Sequence, residues 1–192
     1  MMNTRLGLTA AALLLCLPAC TSAISGKPHV AAGSGGCAGG AIVEPKGGPY
    51  CYATPDGFTA ARAMLSGAQY TSAVALDKDN LIIAGVYPAP SNLDTLSDQD
   101  LTKALDELMD KQDSPSFKLA STSGTLSKPP GGRAVEYRAT TDSKPPITVD
   151  LYVISKGHTK VQLNCQSTDQ PAKIETACGK VLQSMRITAT GN

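Results

Sequence analysis

The amino-acid sequence predicts an α+β domain in which an antiparallel β-sheet is flanked by helices. Three runs in the second half of the chain, residues 133–140, 147–154 and 159–165, alternate apolar and polar residues and are joined by short turn sequences. This is the pattern of a strand meander. Two other segments, which start near residues 97 and 171, repeat their apolar residues at helical spacing.

Length and charge restrict the classes of protein and partner. The chain has 192 residues with 17 Lys and Arg against 16 Asp and Glu, a net charge of +1. This balance lacks the basic footprint of a nucleic-acid-binding protein and the polybasic patch of a membrane-surface protein. Since 42% of the residues are hydrophobic and 17% are charged, the chain has enough apolar side chains to fold, and its length indicates one domain.

The N-terminal residues 1–19 are expected to be a lipoprotein signal peptide. One early cation, Arg5, precedes an apolar run over residues 6–17, which is typical of a secretory signal and too short to span a bilayer. The run leads into Leu-Pro-Ala-Cys, which resembles the lipobox of bacterial lipoproteins. We therefore expect lipidation of Cys20 and a membrane as its partner, with cleavage after Ala23 to a secreted protein as the alternative.

Residues 20–48 are expected to form a flexible tether. The segment is mostly Gly, Ala, Ser and Pro, a composition that buries little apolar surface. Lipidation at its first residue would place the protein on the cell membrane or outer membrane, outside the cytoplasm. The remaining residues, 49–192, are predicted to form the single α+β domain.

Removal of the signal peptide leaves an even number of cysteines besides the lipidated one. The thiols of Cys37, Cys51, Cys165 and Cys178 indicate disulfides in a protein outside the cytoplasm, with three pairings open. A zinc site made of the same four thiols is the rival interpretation, but no Cys-x-x-Cys spacing supports it.

The first half of the domain is predicted to contain a short strand, a hairpin and a helix. Residues 50–52 form the strand before a turn at 54–57, and residues 70–76 and 81–87 are β-rich runs around a polar turn. Ser97 is predicted to cap a helix whose apolar stripe faces the core. The stripe comprises Leu101, Ala104, Leu105, Leu108 and Met109.

The meander is expected to have one packed face and one wetter face. Along residues 133–140 and 147–154, the apolar side chains share one side and the polar ones share the other. Glu136, Arg138 and Asp150 then lie on the wetter face as solvated cross-strand charges.

A second helix is predicted behind Asp169, with Pro171 in its first turn, where a missing N–H costs nothing. Gly179 inside this helix is unfavourable by about 1 kcal/mol relative to Ala, and close packing on the sheet is expected to offset that cost. The apolar face comprises Ile174, Cys178, Val181, Leu182 and Met185.

The apolar faces of the last meander strand and of the second helix predict one disulfide pairing. Cys165 lies on the apolar face of the last strand of the meander, and Cys178 lies on the apolar face of the second helix. Both sulfurs should therefore meet in one interface, which pairs Cys165 with Cys178. By elimination, Cys37 pairs with Cys51 and joins the end of the tether to the first strand.

The domain opens with Pro-Asp-Gly-Phe at residues 55–58 and closes with a helix that runs into Ser-Met-Arg-Ile at residues 184–187. Together with the hairpin, the capped helix and the meander, this order resembles the PsbP-like fold over residues 50–190. That family includes the photosystem II extrinsic protein, Ran-binding nuclear-import factors and bacterial envelope lipoproteins. The resemblance implies a binding scaffold rather than a catalyst. A photosystem-type metal site lacks evident ligands, since His158 is the one histidine in the domain.

The sequence offers little catalytic chemistry. No Gly-x-Ser-x-Gly or Ser-x-x-Lys motif is present, so we expect a non-enzyme with no catalytic residues, metal or cofactor. The prediction is a non-catalytic adaptor or accessory factor for another envelope protein, without nucleic acid. A carrier of a small apolar or lipid ligand is the alternative, and a secreted hydrolase is less favoured.

Four features are candidate edges of a binding surface. They are Tyr87, Tyr152 and the proline-containing loops at residues 88–90 and 128–132. Ordinary packing in turns and at strand ends would explain each of them as well.

Overall fold

The computed structural model of the protein describes Cys37 and residues 40–188. The expected signal peptide and Cys20 lie outside these residues. Within them, antiparallel sheets combine with two α-helices, so the α+β prediction is confirmed. The strands in chain order are β1 (Ile42–Val43), β2 (Tyr50–Ala53), β3 (Thr59–Ala61), β4 (Thr71–Ala75), β5 (Leu81–Pro88), β6 (Phe117–Leu119), β7 (Thr125–Ser127), β8 (Arg133–Thr141), β9 (Thr148–Lys156), β10 (Thr159–Ser167) and β11 (Arg186–Ile187).

The strands form a larger and a smaller sheet. The order in the larger sheet is β3-β4-β5-β10-β9-β8-β6, and β7 also pairs with β8. The smaller sheet has the order β1-β2-β11. Every pair is antiparallel, because hairpin-length turns join the long central strands.

Both α-helices begin where the sequence predicts. Helix α1 spans Asp98–Asp110, and the Ser97 side chain caps it by accepting a hydrogen bond from the main-chain N–H of Asp100 at 3.1 Å. Helix α2 spans Pro171–Ser184 with the proline at its N-terminal turn. A short 3-10 helix, Leu93–Thr95, precedes α1.

One face of the larger sheet, here called face A, is covered by α2 and the smaller sheet. The buried apolar side chains of these layers form one cluster that includes Tyr50, Val74, Ile82, Leu163, Ile174, Cys178, Val181 and Ile187. A disulfide joins Cys165 on β10 to Cys178 on α2 within this cluster. A second disulfide joins Cys37 to Cys51. These are the pairs that the sequence predicts.

The opposite face, here called face B, carries two separate clusters. Helix α1 packs on β8 and β9 through Leu101, Leu105 and Met109. Residues 61–70 pack on β4 and β5 through Leu65. The expectation of one packed and one wetter face is therefore wrong, since each face is packed over different strands. The alternation within a strand does not show which neighbouring strand a helix will cover.

Three smaller expectations also need correction. Ala104 and Leu108 of the predicted α1 stripe are exposed, Leu108 to 38%, because the helix buries a narrower stripe than its composition suggests. Gly179 is exposed on α2, and a Cβ there would meet nothing within 4 Å, so close packing does not explain it. Strand β1 lies within residues 20–48, so the fold extends into the segment expected to be a tether.

Candidate functional site

A row of polar side chains lies between the two clusters of face B. Strand β10 alternates, and Val161, Leu163 and Cys165 contribute to the cluster on face A. The residues between them therefore point to face B. These four residues, called the β10 polar strip below, are Lys160, Gln162, Asn164 and Gln166.

The segment of residues 61–70 forms one wall beside the strip. It lies very close to β5, because the Cδ1 atom of Leu65 is 2.9 Å from the point where a Cβ on Gly85 would lie. Only glycine allows this approach without displacement of the leucine. Gly85 is directly paired with Gln162, so the Leu65 side chain borders the strip.

Helix α1 forms the other wall. Its buried residues pack on Leu151 and Val153 of β9, which are the register partners of Asn164 and Gln162. Since adjacent strands are about 4.8 Å apart, β5 and β9 are about 10 Å apart. The space between the two walls is thus a groove whose floor is the single strand β10.

The chain closes this groove at the Lys160 end. Lys160 is in register with Tyr87 on β5 and with Ser155 on β9. The connection from β5 to α1 crosses this end of face B, and its Ala89 and Leu93 N–H groups donate to carbonyls of the β9–β10 turn at 2.9 and 2.8 Å. Both residues are buried in the α1 cluster, so the groove has a blind end.

Arg133 holds the crossing segment in place. Its guanidinium donates to the main-chain carbonyls of Leu93 and Leu96 and to the Asp98 carboxylate. Lys128 pairs with the same carboxylate at 2.7 Å. Hydrogen bonds from Lys128 and Arg133 hold the pKa of Asp98 below its usual value, which keeps the carboxylate charged at the N-terminal turn of α1.

The carboxamides of the strip are buried but incompletely bonded. Asn164 is 3% exposed and Gln166 is 8% exposed. Gln162 donates its Nε2 hydrogen to the Oδ1 atom of Asn164 at 3.0 Å, whereas the Asn164 Nδ2 and the Gln166 carboxamide bond to no other described residue. Every fully enclosed polar side-chain atom of the described residues has a partner, so the unbonded amide atoms keep a small contact with solvent.

Lys160 is the charged member of the strip. It is half-buried, and burial lowers the pKa of its ammonium. Among the described residues, no carboxylate lies within ion-pair distance of Lys160. An ammonium that is partly removed from water without a counter-ion favours an incoming anion.

The charges predicted on the wetter face behave differently. Arg138 donates its Nε hydrogen to Asp150 Oδ1 at 2.6 Å on face A, and this bond raises the pKa of the guanidinium. The Asp150 side chain is only 10% exposed, so the expectation of a solvated charge is wrong for it. Tyr152 lies on the same face, where burial raises the pKa of its hydroxyl. The two charges of the Arg138 and Asp150 pair thus neutralise each other.

The candidate surface edges are divided between the two faces. Tyr87 and residues 88–90 lie at the blind end of the groove on face B, whereas Tyr152 lies on face A. Residues 128–132 contact α1 through Lys128, away from the strip. Sequence reasoning missed the strip itself, although the alternation of residues 160–166 indicates it.

Helix α1 also borders a shallow depression on its far side. The depression has a volume of about 520 Å³, is open to solvent, and is lined by Asp98, Gln99, Thr102, Lys103, Asp106 and Leu126. It lies toward β7, and its charged lining is unlike an enclosed apolar ligand cavity.

Two further observations concern the described residues. They contain no group of three or more His, Cys, Asp or Glu side chains placed to hold a metal ion. Among residues 40–188, no helix is both long enough and apolar enough to cross a bilayer.

Known structures share this architecture. A protein from Bacteroides thetaiotaomicron VPI-5482 superimposes with a TM-score of 0.51 at 9% identity, over 80% of this chain and 50% of that one; this chain thus spans half the length of that protein. The cyanobacterial PsbP (CyanoP) of Synechocystis sp. PCC 6803 has a TM-score of 0.52 at 12% identity, over 81% and 98% of the two chains. LpqN of Mycobacterium tuberculosis, involved in cell envelope biogenesis, has a TM-score of 0.49 at 13% identity, over 72% and 83%.

The sequence comparisons add nothing to this likeness, because no protein-family model and no curated protein matches the chain. At these identities, the structural likeness establishes the fold alone. The described part of the chain has the PsbP-like fold, as the sequence predicts.

Proposed function

We propose that this protein is a lipid-anchored adaptor of the bacterial cell envelope whose groove binds an extended segment of another envelope protein. The lipid is attached to Cys20, and the partner is bound without being chemically altered. The two disulfides of the structure support an oxidising location outside the cytoplasm. The lipobox-like end of the signal segment supports the anchor.

The incompletely bonded carboxamides of Asn164 and Gln166 carry this proposal. A carboxamide offers both a donor and an acceptor, which are the groups that alternate along an extended polypeptide backbone. A peptide lying on the strip would satisfy both side chains while they remain shielded from water.

The shape of the groove supports the same occupant. From Lys160 to Gln166 the strip is about 20 Å long, which matches about six extended residues. Its width of about two strand spacings admits one extended chain. The occupant would lie between the two walls in the way that peptides lie in grooves with pockets for their side chains.

Exposed apolar side chains on the two walls offer contacts for the partner. Met64 on the 61–70 segment is 87% exposed and Leu108 on α1 is 38% exposed. Asp106 of α1 bonds to Gly124 and Tyr137 on the β7 side. Because Leu108 is about 160° around the helix from Asp106, it lies on the side toward β10.

The same amides argue against the alternative of a lipid carrier. An acyl chain on the strip would cover Asn164 and Gln166 without bonding to them, and each unsatisfied buried group costs about 1–3 kcal/mol. A carrier would instead line its cavity with apolar side chains.

A peptide-binding experiment on the purified full chain tests the proposal. Random peptides of about eight residues are incubated with the chain in detergent, and retained peptides are identified by mass spectrometry. We expect a subset to be enriched, and the variant Asn164→Leu with Gln166→Leu to lose affinity about tenfold because the floor no longer bonds the backbone.

Gln183→Leu on α2 is the matched control, since it makes the same change of side chain on the opposite side of the sheet. The control should retain the enriched peptides. Equal binding by the groove variant would contradict the proposal, as would the absence of any enriched peptide. Retention of a stoichiometric lipid that blocks the groove would support the carrier instead.

A further inference from the structure

The four side chains of the β10 polar strip are not equally accessible. Lys160 and Gln162 are half-buried, whereas Asn164 and Gln166 are buried. Water therefore reaches the strip at Lys160 and Gln162, and a ligand that approaches face B meets these two side chains first. Their chemistry decides which kind of side chain a partner can place there.

Lys160 differs from Lys156, the other half-buried lysine of the described residues. The Lys156 ammonium donates to the Ile187 carbonyl at 3.0 Å, so the fold itself provides its partner. The Lys160 ammonium has neither an acceptor within hydrogen-bond distance nor a carboxylate within ion-pair distance among the described residues. Since burial lowers its pKa, this charge would be stabilised by a counter-ion from outside the chain.

The side chains directly beside Lys160 do not supply that counter-ion. Its register partners are Tyr87 on β5 and Ser155 on β9. The Tyr87 hydroxyl donates to the Ser66 carbonyl at 2.9 Å, and the Ser155 hydroxyl donates to the Arg133 carbonyl at 3.2 Å. Neither hydroxyl carries a charge, so neither neutralises the ammonium.

Gln162 adds an acceptor next to this cation. Its Nε2 atom donates to Asn164 Oδ1 at 3.0 Å, while its Oε1 atom bonds to no described group. An acidic residue of a bound segment carries a carboxylate for the ammonium and a main-chain N–H for the amide oxygen. An apolar or basic residue at the same place would remove water from the ammonium without neutralising it, which disfavours such segments.

We propose that the groove selects segments that place an Asp or Glu side chain on Lys160. This inference rests on the proposed peptide-binding function and adds the chemistry of the partner, an envelope protein with an exposed acidic segment. The carboxylate accepts from the Lys160 ammonium, and Gln162 bonds the main chain beside it. Lys160 is thus the residue that determines specificity, in contrast to the buried carboxamides, which bond the backbone of any sequence.

The test compares synthetic peptides that differ in one side-chain carboxylate. Peptides enriched by the full chain are resynthesised with an amidated C-terminus, and each acidic residue in turn is replaced by its amide, Asp by Asn or Glu by Gln. We expect one replacement in each peptide to weaken binding to the wild type about tenfold in calorimetry, because the charge-assisted bond is lost. Lys160→Met should bind the acidic and amide forms equally, and Lys160→Glu should prefer a lysine at that peptide position.

Lys173→Glu is the matched control, since Lys173 is exposed on α2 at the other face, and it should keep the wild-type preference for the acidic form. Thermal unfolding checks that the variants are folded, and Lys160→Met tests the preference even if the charge reversal prevents folding. Equal binding of both forms by the wild type, a requirement for a free C-terminal carboxylate instead, or a preference that survives in Lys160→Met would overturn this inference and leave peptide binding intact. If no peptide binds, the proposed function and this inference both fail.

Discussion

The two faces of the larger sheet are covered in different ways. Face A carries one continuous core under α2 and the smaller sheet, and a disulfide crosses it. Face B carries two separate clusters with polar side chains between them. Strand β10 takes part in both, because successive side chains point to opposite faces. One strand can therefore secure the fold on one side and leave open hydrogen-bonding groups on the other.

Truncation of two adjacent residues of β10 is the strongest test of this difference between the faces. Leu163→Ala removes a fully buried side chain from face A and should lower the free energy of unfolding by about 3 kcal/mol, through lost burial and a cavity. Asn164→Ala removes the same number of non-hydrogen atoms but a smaller volume from face B. It should cost only about 1 kcal/mol, because the Gln162 amide that loses its acceptor is itself partly exposed to water. Urea denaturation of both variants measures the contrast, and equal losses would contradict it.

Removal of the disulfide across face A should cause the next largest loss of stability. Cys165→Ala with Cys178→Ala opens a cross-link between residues 13 positions apart and is expected to cost about 3 kcal/mol under oxidising conditions. Cys37→Ala with Cys51→Ala opens a link of nearly equal length, so chain entropy alone predicts a similar loss. Unchanged stability of the first variant would show that face A does not depend on its cross-link.

A buried tyrosine pair makes face A sensitive to alkali. Tyr50 donates to the Ala84 carbonyl at 3.0 Å and bonds Ser72, and burial raises the pKa of Tyr50 to about 12 and that of Tyr52 above its usual value. The unfolded chain releases these protons near pH 10 while the folded chain holds them. Stability should therefore fall as the pH rises from about 10 to about 12.

Tyr50→Phe tests the source of that alkaline sensitivity. The variant should be less stable than the wild type near neutral pH by about 1 kcal/mol, because the Ala84 carbonyl loses its donor. Its stability should also fall less steeply above pH 10. Urea denaturation at several alkaline pH values measures both effects, and a wild-type profile that stays flat to pH 12 would contradict the assignment.

The smallest expected change in stability comes from a substitution on the exposed side of α2. Gly179→Ala should raise the free energy of unfolding by about 1 kcal/mol, because alanine favours the helix and its Cβ would meet no atom within 4 Å. A thermal melt is sufficient to detect the increase. A decrease would mean that the exposed glycine is required for a contact outside the described residues.

The sequence predicted the long elements well because each carries a clear period. Ser97, Pro171 and the alternation from Arg133 to Cys165 define both helices and the meander. The short strands β1, β3, β6, β7 and β11 were missed. Two or three residues show no period, and these strands form only when a longer strand lies beside them.

The candidate site was less accessible from the sequence. The alternation of residues 160–166 shows which side chains share a face, but not that α1 covers β8 and β9 and stops before β10. The role of Gly85 could not be predicted either, since it depends on Leu65 approaching from a distant segment. Tyr87 was predicted as a candidate edge of a binding surface, and it does border the blind end. This position follows from its register with Lys160, which only the paired strands show.

The link between Cys37 and Cys51 has a consequence for orientation. Cys51 lies on β2, in the layer that covers face A, and its disulfide holds Cys37 on this side of the molecule, opposite the groove. Cys37 is 17 positions after Cys20 in the sequence, a reach of about 60 Å at full extension. A lipid on Cys20 would then leave the groove free to meet a partner, because a segment of this reach lets the domain stand clear of the lipid surface.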